Sequence, residues 1–540
     1  MAGLAAAFGS GAMTNTIACI EQADVILITG SNTTENHPVL SSFVKRAVKF
    51  KGVKLIVVDP RRIKISRFSD IYLRQNLGTD VAWLNGMMNV IIAEGLHDQN
   101  FVETRTEGFE ELKKTVEKYT PEYVEEITGI PAEKLAEAAR LYANAKAGSI
   151  LYCMGITQHT HGTDNVKSLA NLAMLCGHMG IEGGGVNPLR GQNNVQGACD
   201  MGGLPNVYPA YQPVTDLAIA KKFEDAWGVT GLSTNLGLKV TDMIPKAHDG
   251  EFKTLYVIGE NPLVSDADLN HAEKSIKNLD FLVVQDIFMT ETAELADVVL
   301  PAKCFAEKDG TFSNTERRVQ RVRAAVEAPG DVWDDWKITS AIGTRMGLAM
   351  EYADSEAVFN ELRTVTPSYA GITYDRIENV GIHWPCPNEE HPGTPILHKE
   401  QFTRGKGLFH AIDFTPPAEQ TDGEYPLYLT TGRVLYQYHT GSMTMKTAGL
   451  NDRAPGCFVE ISPADAAKYD LEDGATVEVA SRRGNIEAVV QISTTAVNGT
   501  IFIPFHFAEA AANKLTNAEL DPVSGIPEFK VCAVKISKAA

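Results

Sequence analysis

Two short runs, "DVILITG" (24–30) and "VKLIVVDP" (53–60), constrain the fold most. Both are aliphatic and β-branched without alternation, and both stop in turn residues. Such runs read as strands buried on both faces of a parallel sheet. Between them "PVLSSFVKRAVKF" (38–50) has helical spacing, so a βαβ unit with a right-handed crossover is expected. Helices follow at 79–95, 107–118 and 131–145, then the strand "GSILYCMG" (148–155) and a helix through 163–179. The pattern restarts with strands in "FKTLYVIGENP" (252–262), "LDFLVVQDI" (279–287) and "ADVVLPA" (296–302), closed by the helix "WDDWKITSAIGTRMG" (333–347). Residues 365–424 carry many prolines and little periodicity, and read as a long surface crossing. From Tyr425 the segments "PLYLTTGR", "CFVEISP", "ATVEVASRRGNIEAVVQIS" and "GTIFIPF" alternate between Gly turns, the pattern of a small β-barrel. The expected division is therefore 1–186 and 187–364 as two open α/β domains, 365–424 as linker and 425–540 as barrel.

A chain of 540 residues should hold several such domains. Its 68 acidic against 49 basic residues leave a net charge of −19, which argues against binding nucleic-acid backbones. No apolar run reaches the roughly 18 residues of a membrane span, and "MAGLAAAFGSGAMTN" lacks the pattern of an export signal. The eight cysteines are at least 23 positions apart, without the C-x₂₋₄-C pairs of zinc or iron–sulfur sites. They read as free thiols in a reducing compartment, which places the protein in the cytoplasm.

Ligands of open α/β sheets bind beyond the C-terminal ends of the strands. Those ends read "TGSNTTENHP" (29–38), "VDPRR" (58–62), "MGITQ" (154–158), "IGENP" (258–262) and "VQDIFMTET" (284–292), a set that suits nucleotide binding. Asp59 and Asp286 fit two roles there, a helix N-cap or a bond to a ribose or guanine edge. The absence of G-x-G-x-x-G and of G-x-x-x-x-G-K-[ST] argues against NAD and P-loop ATP. The loop "NPLRGQNNVQGACDMGG" (187–203) sets one guanidinium, Arg190, among Gln192, Asn193, Asn194 and Gln196. Side-chain amides pair donor with acceptor and suit a polar heterocycle or a small anion.

Together "GSGAMTN", "GSNTTENHP", "VVDPRR", "RGQNNVQGACDMG", "GENP", "QDIFMTETAELADVVLPA" and "GTFSNTERRVQ" resemble the molybdopterin oxidoreductases (the DMSO reductase family), and within them the formate dehydrogenase catalytic subunits. The likeness runs over essentially the whole chain. It implies two αβα dinucleotide-binding domains followed by a six-stranded double-psi-type barrel. It also implies a bis(molybdopterin guanine dinucleotide) centre of molybdenum or tungsten, formate and carbon dioxide as substrate and product, and iron–sulfur subunits or a hydrogenase as electron partners. Carried over by position, Arg190 becomes the active-site arginine, whose rigid fork matches a planar carboxylate, and Gln192 lines the metal pocket. Asn32, Glu35, His37 and Pro38, with Asp59, Arg61, Gly78 and Asp80, fall on the first dinucleotide's loops, and Met154 and Gln158 beside a pterin. Gly259, Glu260, Asn261, Gln285, Asp286 and Thr290 fall on the second dinucleotide's loops. Thr431, Arg433, His439, Ser442, Asn513, Phe529 and Lys530 are the barrel's contacts. His37 and His439, which could equally be packed or solvated histidines, are expected to touch the cofactor without ligating metal. Cys199 is expected to be buried structure. The rivals are another molybdopterin reductase, such as a nitrate enzyme, and a non-catalytic electron-transfer scaffold of the same fold.

In the family a [4Fe–4S] domain and a selenocysteine or cysteine metal ligand, followed by histidine, precede the stretch that resembles "AGLAAAFGSGAMTN". This chain would then be an incomplete enzyme by itself, with no metal ligand of its own. Domain boundaries fall in exposed linkers rather than just past a catalytic ligand, so Met1 is expected to be a mis-assigned start. The upstream nucleotides should show an in-frame TGA and a His codon shortly before Met1, after a cysteine-rich segment. A different stop codon or unrelated sequence there would contradict this.

Overall fold

The computed structural model describes residues 1–539, and the chain divides into two compact units. The first comprises Met1–Gly191, Val264–His271 and the chain from Ile396 onward; the second comprises Gln192–Leu263 and Ala272–Pro395.

The first unit holds the expected parallel sheet. Its strands lie in the order Ile71–Leu73, Lys54–Val58, Val25–Thr29, Gly148–Tyr152, Val186–Pro188. Alternate residues feed two cores. Val25, Leu27, Ile56, Val58 and Ile150 pack with the helices Asp80–Ala93, Ala132–Ala143 and Gly162–Leu175. Ile26, Ile28, Leu55, Val57 and Leu151 pack against the helix Pro38–Lys51. Both faces are covered, which is why these strands are apolar without alternation. The strand order reverses between Val25–Thr29 and Gly148–Tyr152, and such a switch point opens a crevice at the strands' C-terminal ends. Gly30 and Gly155 meet there, the amide of Gly155 donating to the Gly30 carbonyl at 3.0 Å. A Cβ on Gly30 would stand 2.6 Å from the Ile156 nitrogen.

The fifth strand runs two residues past the boundary expected at 186, because Val186–Pro188 pairs in register with Ile150–Tyr152. Thr14 and Asn15 of "GSGAMTN" fix its far edge. The Val186 amide donates to Thr14 Oγ1 (3.0 Å) and the Asn15 amide donates to Asn187 Oδ1 (3.1 Å). The same unit carries the barrel, closed by Leu427–Gly432, Thr500–Pro504, Phe458–Ile461, Asn485–Ile492, Thr476–Ala480 and Cys532–Lys538. Leu429, Val459, Ile461, Val477, Val479, Val490, Ile501 and Val534 fill its interior. The barrel region is tied to the helix Gly162–Leu175 by Asp521, which accepts the Thr163 amide and hydroxyl at 2.8 Å each, and to the loop after Lys54–Val58 by the Arg61–Glu460 ion pair at 2.8 Å.

The second unit holds a parallel sheet of three strands, Val298–Pro301, Phe281–Asp286 and Thr254–Ile258. One face packs through Val257, Leu282 and Val284 on Ala272 and Ile276, while Tyr256, Ile258 and Phe281 stay exposed on the other. Gly310–Ser313 and Arg318–Val322 of "GTFSNTERRVQ" form an antiparallel hairpin.

Residues 365–424 correct the expectation of a surface crossing. The segment has little regular structure, but Tyr369, Ile372, Tyr374, Trp384 and Cys386 are buried, and Phe402 and Phe409 belong to the first unit's main core. Its prolines break periodicity without removing its apolar anchors. Among the described residues no helix is long and apolar enough to cross a membrane.

Gly185, at φ +93°, would place a Cβ 2.2 Å from both Thr14 Oγ1 and Asn15 Oδ1. Gly185→Ala is therefore expected to lower unfolding stability by about 2 kcal/mol or more, read from the urea midpoint, because it adds backbone strain to a steric clash.

Candidate active site

The C-terminal edge of the first sheet gathers most of the residues singled out in the first unit. After Val25–Thr29 the chain enters the short helix Thr33–Asn36, and Pro38 then occupies the first turn of the next helix. Side-chain oxygens of Thr29, Ser31, Asn32, Thr33 and Asn36, together with His37 Nδ1, are buried there without hydrogen-bond partners. The Tyr152 hydroxyl and Arg61 Nε are in the same state. Buried polar atoms are nearly always bonded, and each orphan costs roughly 1–3 kcal/mol. Six orphans within residues 29–37 therefore mark a surface shaped for a polar ligand. Glu35, by contrast, already pairs with Lys64 at 3.0 Å.

The Lys54–Val58 strand ends in Asp59, whose Oδ1 accepts the Arg61 amide at 2.9 Å. This is a local turn, not a helix N-cap. Burial raises the Asp59 carboxyl to about 6, against the opposing pull of the Arg61 amide and the nearby cations. The Arg61 guanidinium stacks 3.5 Å from the Phe502 ring centroid while bonded to Glu460. Asp80 is raised to about 7 by burial, despite bonds from Trp83 and Gln75. His159 lies 3.9 Å from Asp80 and donates through Nε2 to the Gly155 carbonyl (2.9 Å), and the Gly78 carbonyl meets His161 at 3.2 Å. After Gly148–Tyr152, Met154 Sδ accepts the Thr157 hydroxyl at 3.3 Å and the Gln158 amide closes one helical turn on Met154.

The Val186–Pro188 strand delivers Leu189, Arg190 and Gly191, and each of their carbonyls is taken up. Cys153 Sγ donates to Leu189 O (3.1 Å), His37 Nε2 meets Arg190 O (2.8 Å), and Arg433 Nη1 donates to Gly191 O (2.8 Å). His439 Nε2 lies 2.9 Å from the same Gly191 oxygen and 2.8 Å from Arg433 Nη2. His439 itself adopts a left-handed backbone (φ 48°), a strained conformation for a non-glycine residue. His506 steadies it, bonding the His439 carbonyl through Nδ1 and accepting the Val434 amide at Nε2 (3.0 Å). That pair of bonds selects the neutral Nδ1–H tautomer. Burial, with the Arg433 charge, pushes His439 and His506 down to about 4 and lowers His37 as well.

The other barrel residues sit close by. Lys530 Nζ donates to Thr431 O (2.7 Å) and the Thr431 hydroxyl donates to Phe529 O (2.8 Å). Lys530 is buried, and desolvation brings its ammonium down to about 7. Ser442 pairs with Thr440 (3.0 Å), and Asn513 donates to the Val264 and Ser265 carbonyls (3.2 and 3.0 Å).

Gln192 and the second set of loop residues belong to the second unit. Gln192 is exposed. Asn261 bonds Glu291 (2.7 Å) and Thr292 (2.8 Å), Gln285 bonds Asp335 (2.7 Å), and Thr290 Oγ1 accepts the Ala293 amide (3.2 Å). Asp286 accepts the Ile287 and Phe288 amides in a local turn and is raised by burial. Gly259 and Glu260 are exposed. Two of the four side-chain amides in "RGQNNVQG" do internal work that the sequence did not reveal. Asn194 Oδ1 accepts the Ser313 amide (2.9 Å), and Gln196 bonds Asp200 (2.8 Å) and the Tyr211 hydroxyl (2.9 Å). Buried Asp200 also takes Tyr369 and Trp384 Nε1, the latter at 2.7 Å. What reads as loop includes the short helix Val195–Asp200. Cys199 is buried, as expected.

The family model described as Molybdopterin oxidoreductase matches residues 3–345, and that described as Molydopterin dinucleotide binding domain matches residues 427–533. The chain belongs to the molybdopterin oxidoreductase family. It is 54% identical over 540 residues to F420-dependent formate dehydrogenase subunit alpha of Methanocaldococcus jannaschii, covering 99% of this chain and 80% of that one. It is 42% identical over 547 residues to formate dehydrogenase H of Escherichia coli, covering 100% and 76%. Formate dehydrogenase alpha subunits are thus among its close homologues. Among solved structures it resembles acetylene hydratase from Pelobacter acetylenicus, with TM-score 0.79 at 23% identity, covering 100% of this chain and 80% of that one. That likeness shows the fold.

His506 and Cys153 were missed as site residues. His506 follows the barrel strand Thr500–Pro504 and Cys153 the strand Gly148–Tyr152, so a polar or thiol residue just past a strand end was the available signal.

His439 and His506 have folded-state values near 4, below the free value of 6.5, so their neutral forms favour the fold. This contribution is complete above about pH 6.5 and is lost as pH falls through 4. The thermal midpoint should therefore fall between pH 6.5 and 4, and more shallowly in His506→Asn; parallel profiles for the two proteins would contradict the assignment.

Proposed function

We propose that this chain is the catalytic subunit of a cytoplasmic formate dehydrogenase. It oxidises formate to carbon dioxide at a bis(molybdopterin guanine dinucleotide) centre of molybdenum or tungsten. Electrons pass to an iron–sulfur subunit or hydrogenase partner. The observation that carries the reading is Arg190, which leaves the end of the Val186–Pro188 strand at the edge where the orphaned polar atoms of residues 29–37 gather. The names of the relatives supply the substrate class, and the free, mostly buried thiols support the compartment.

The residues present fit the group. Unpartnered oxygens of Ser31, Asn32, Thr33 and Asn36 offer bonds to a dinucleotide's hydroxyls, phosphates and amino groups. Lys530, desolvated and holding only one carbonyl among its hydrogen bonds, gains most from an anionic phosphate, which would restore its charged form. Bound there, the pterin-held metal supplies the two-electron acceptor that no side chain provides. In the second unit, Asn261, Gln285, Asp286 and Thr290 would hold the second dinucleotide.

The protein's own part is recognition and orientation. Formate is a planar anion, and a guanidinium meets its two oxygens with parallel donors, which fixes the direction of the C–H bond. His37 and His439 are depressed by burial and neutral at pH 7, so cationic recognition around residues 190–191 falls to arginine and not to imidazolium. Oxidation releases two electrons and one proton per formate, and the carbon dioxide formed carries no charge for Arg190 to retain, which favours product release.

Replacing Arg190 by Ala in the assembled enzyme is expected to lower kcat/KM for formate about hundredfold or more while metal and pterin contents stay unchanged. Unchanged formate turnover would overturn the reading. Turnover of nitrate in place of formate would favour another reductase of the family, and protein without molybdenum or tungsten would favour a scaffold.

A further inference from the structure

Residues 189–191 place three consecutive carbonyls where three different elements can take them. Cys153 comes from the end of the Gly148–Tyr152 strand, His37 from the residue before the Pro38–Lys51 helix, and Arg433 with His439 from the loop after the barrel strand Leu427–Gly432. Their distances to the Leu189, Arg190 and Gly191 oxygens are 3.1, 2.8, 2.8 and 2.9 Å. Gly191 has no room for more, since a Cβ there would lie 2.7 Å from Arg433 Nη2. Such bonds confer no affinity for a ligand. The Leu189 and Arg190 carbonyls belong to the two peptides that flank the Arg190 Cα, so Cys153 and His37 fix the direction in which its side chain leaves the backbone, and Arg433 anchors the next peptide along through the Gly191 carbonyl.

We infer that His37 and Arg433 are positioning residues that hold Arg190 in place, His37 by gripping the carbonyl of residue 190 itself and Arg433 by anchoring the Gly191 carbonyl that follows, with His439 set against Arg433. Arg433 comes from the barrel, so the anchor on the residue after Arg190 forms when the barrel loop 433–439 is seated on the strand end. The inference rests on the reading of Arg190 as the formate-binding cation and adds what sets its direction. A general role in cofactor binding would make Arg433 matter whether or not Arg190 is present. A positioning role makes it matter only through Arg190.

The test uses the assembled, metal-loaded enzyme with Arg433→Gln, Arg433→Lys and His37→Gln, each made with and without Arg190→Ala. Backbone amide exchange of the peptide spanning residues 187–196 reports the grip whatever the substrate. It should quicken about tenfold or more in Arg433→Gln and recover partly in Arg433→Lys, which keeps a donor. A reactive group displaced by about 1 Å can cost about a hundredfold in rate, so kcat/KM for formate should fall on that scale in Arg433→Gln with metal content retained. In the Arg190→Ala background the same substitution should cost less than about twofold, because coupled residues are not additive. Should Arg433→Gln not assemble, His37→Gln carries the same comparison from a different element. Unchanged exchange in the 187–196 peptide, or equal losses with and without Arg190, overturns the inference. If the wild-type enzyme does not turn over formate while Arg433→Gln still quickens exchange, the proposed substrate fails and the grip stands.

Discussion

Backbone carbonyls at a strand end are strong acceptors that must be satisfied once they are buried. At the end of Val186–Pro188 the oxygens of residues 189–191 are satisfied by side chains rather than by another strand. The rest of the first unit is arranged around that solution. Thr14 and Asn15 lock the strand from outside, the central sheet holds it in register, and the barrel sends Arg433 and His439 to its last carbonyl. His506 in turn keeps the strained His439 backbone in place. An arginine on a free loop would lose orientation to backbone entropy, whereas the main chain around Arg190 is tied to the sheet and the barrel alike.

The same edge leaves other polar groups unsatisfied. Oxygens of Thr29, Ser31, Asn32, Thr33 and Asn36 have no partners, although each of the 189–191 carbonyls, one of them met by the adjoining His37, has a donor. The contrast separates the atoms that build the site from the atoms kept for a ligand. The titrating groups follow the same division. Asp59, Asp80 and Lys530 are drawn to about 6, 7 and 7 by burial, so a charged ligand arriving near them would set their protonation.

The strands of the first sheet were legible because a sheet covered on both faces writes continuous apolar runs, and the barrel because its strands alternate. "EAVVQI" shows the alternation, with Ala488 and Val490 inside and Val489 out. The loop "RGQNNVQG" was legible as special but not in its parts. Asn194 and Gln196 look like ligand-gripping amides until the Ser313 amide, Tyr211 and Asp200 are brought to them from other segments. Local sequence does not encode such partners. The buried Tyr369 and Trp384 were hidden for a related reason, since a proline-rich stretch with no periodicity offers no face to read, yet both donate to Asp200. Asp59 and Asp286 could have been caps or ligand contacts; both spend one oxygen on a turn of their own.

In the proposed reaction Arg190 meets the substrate, at an edge whose unpartnered atoms are proposed to meet the cofactor. The most direct measurement is a structure of the metal-loaded protein with formate bound. Both formate oxygens are expected within about 3 Å of the Arg190 guanidinium, with dinucleotide atoms bonded to the orphaned side chains of residues 29–37. Formate bound away from Arg190, or a cofactor that leaves those side chains unpartnered, would contradict the proposal.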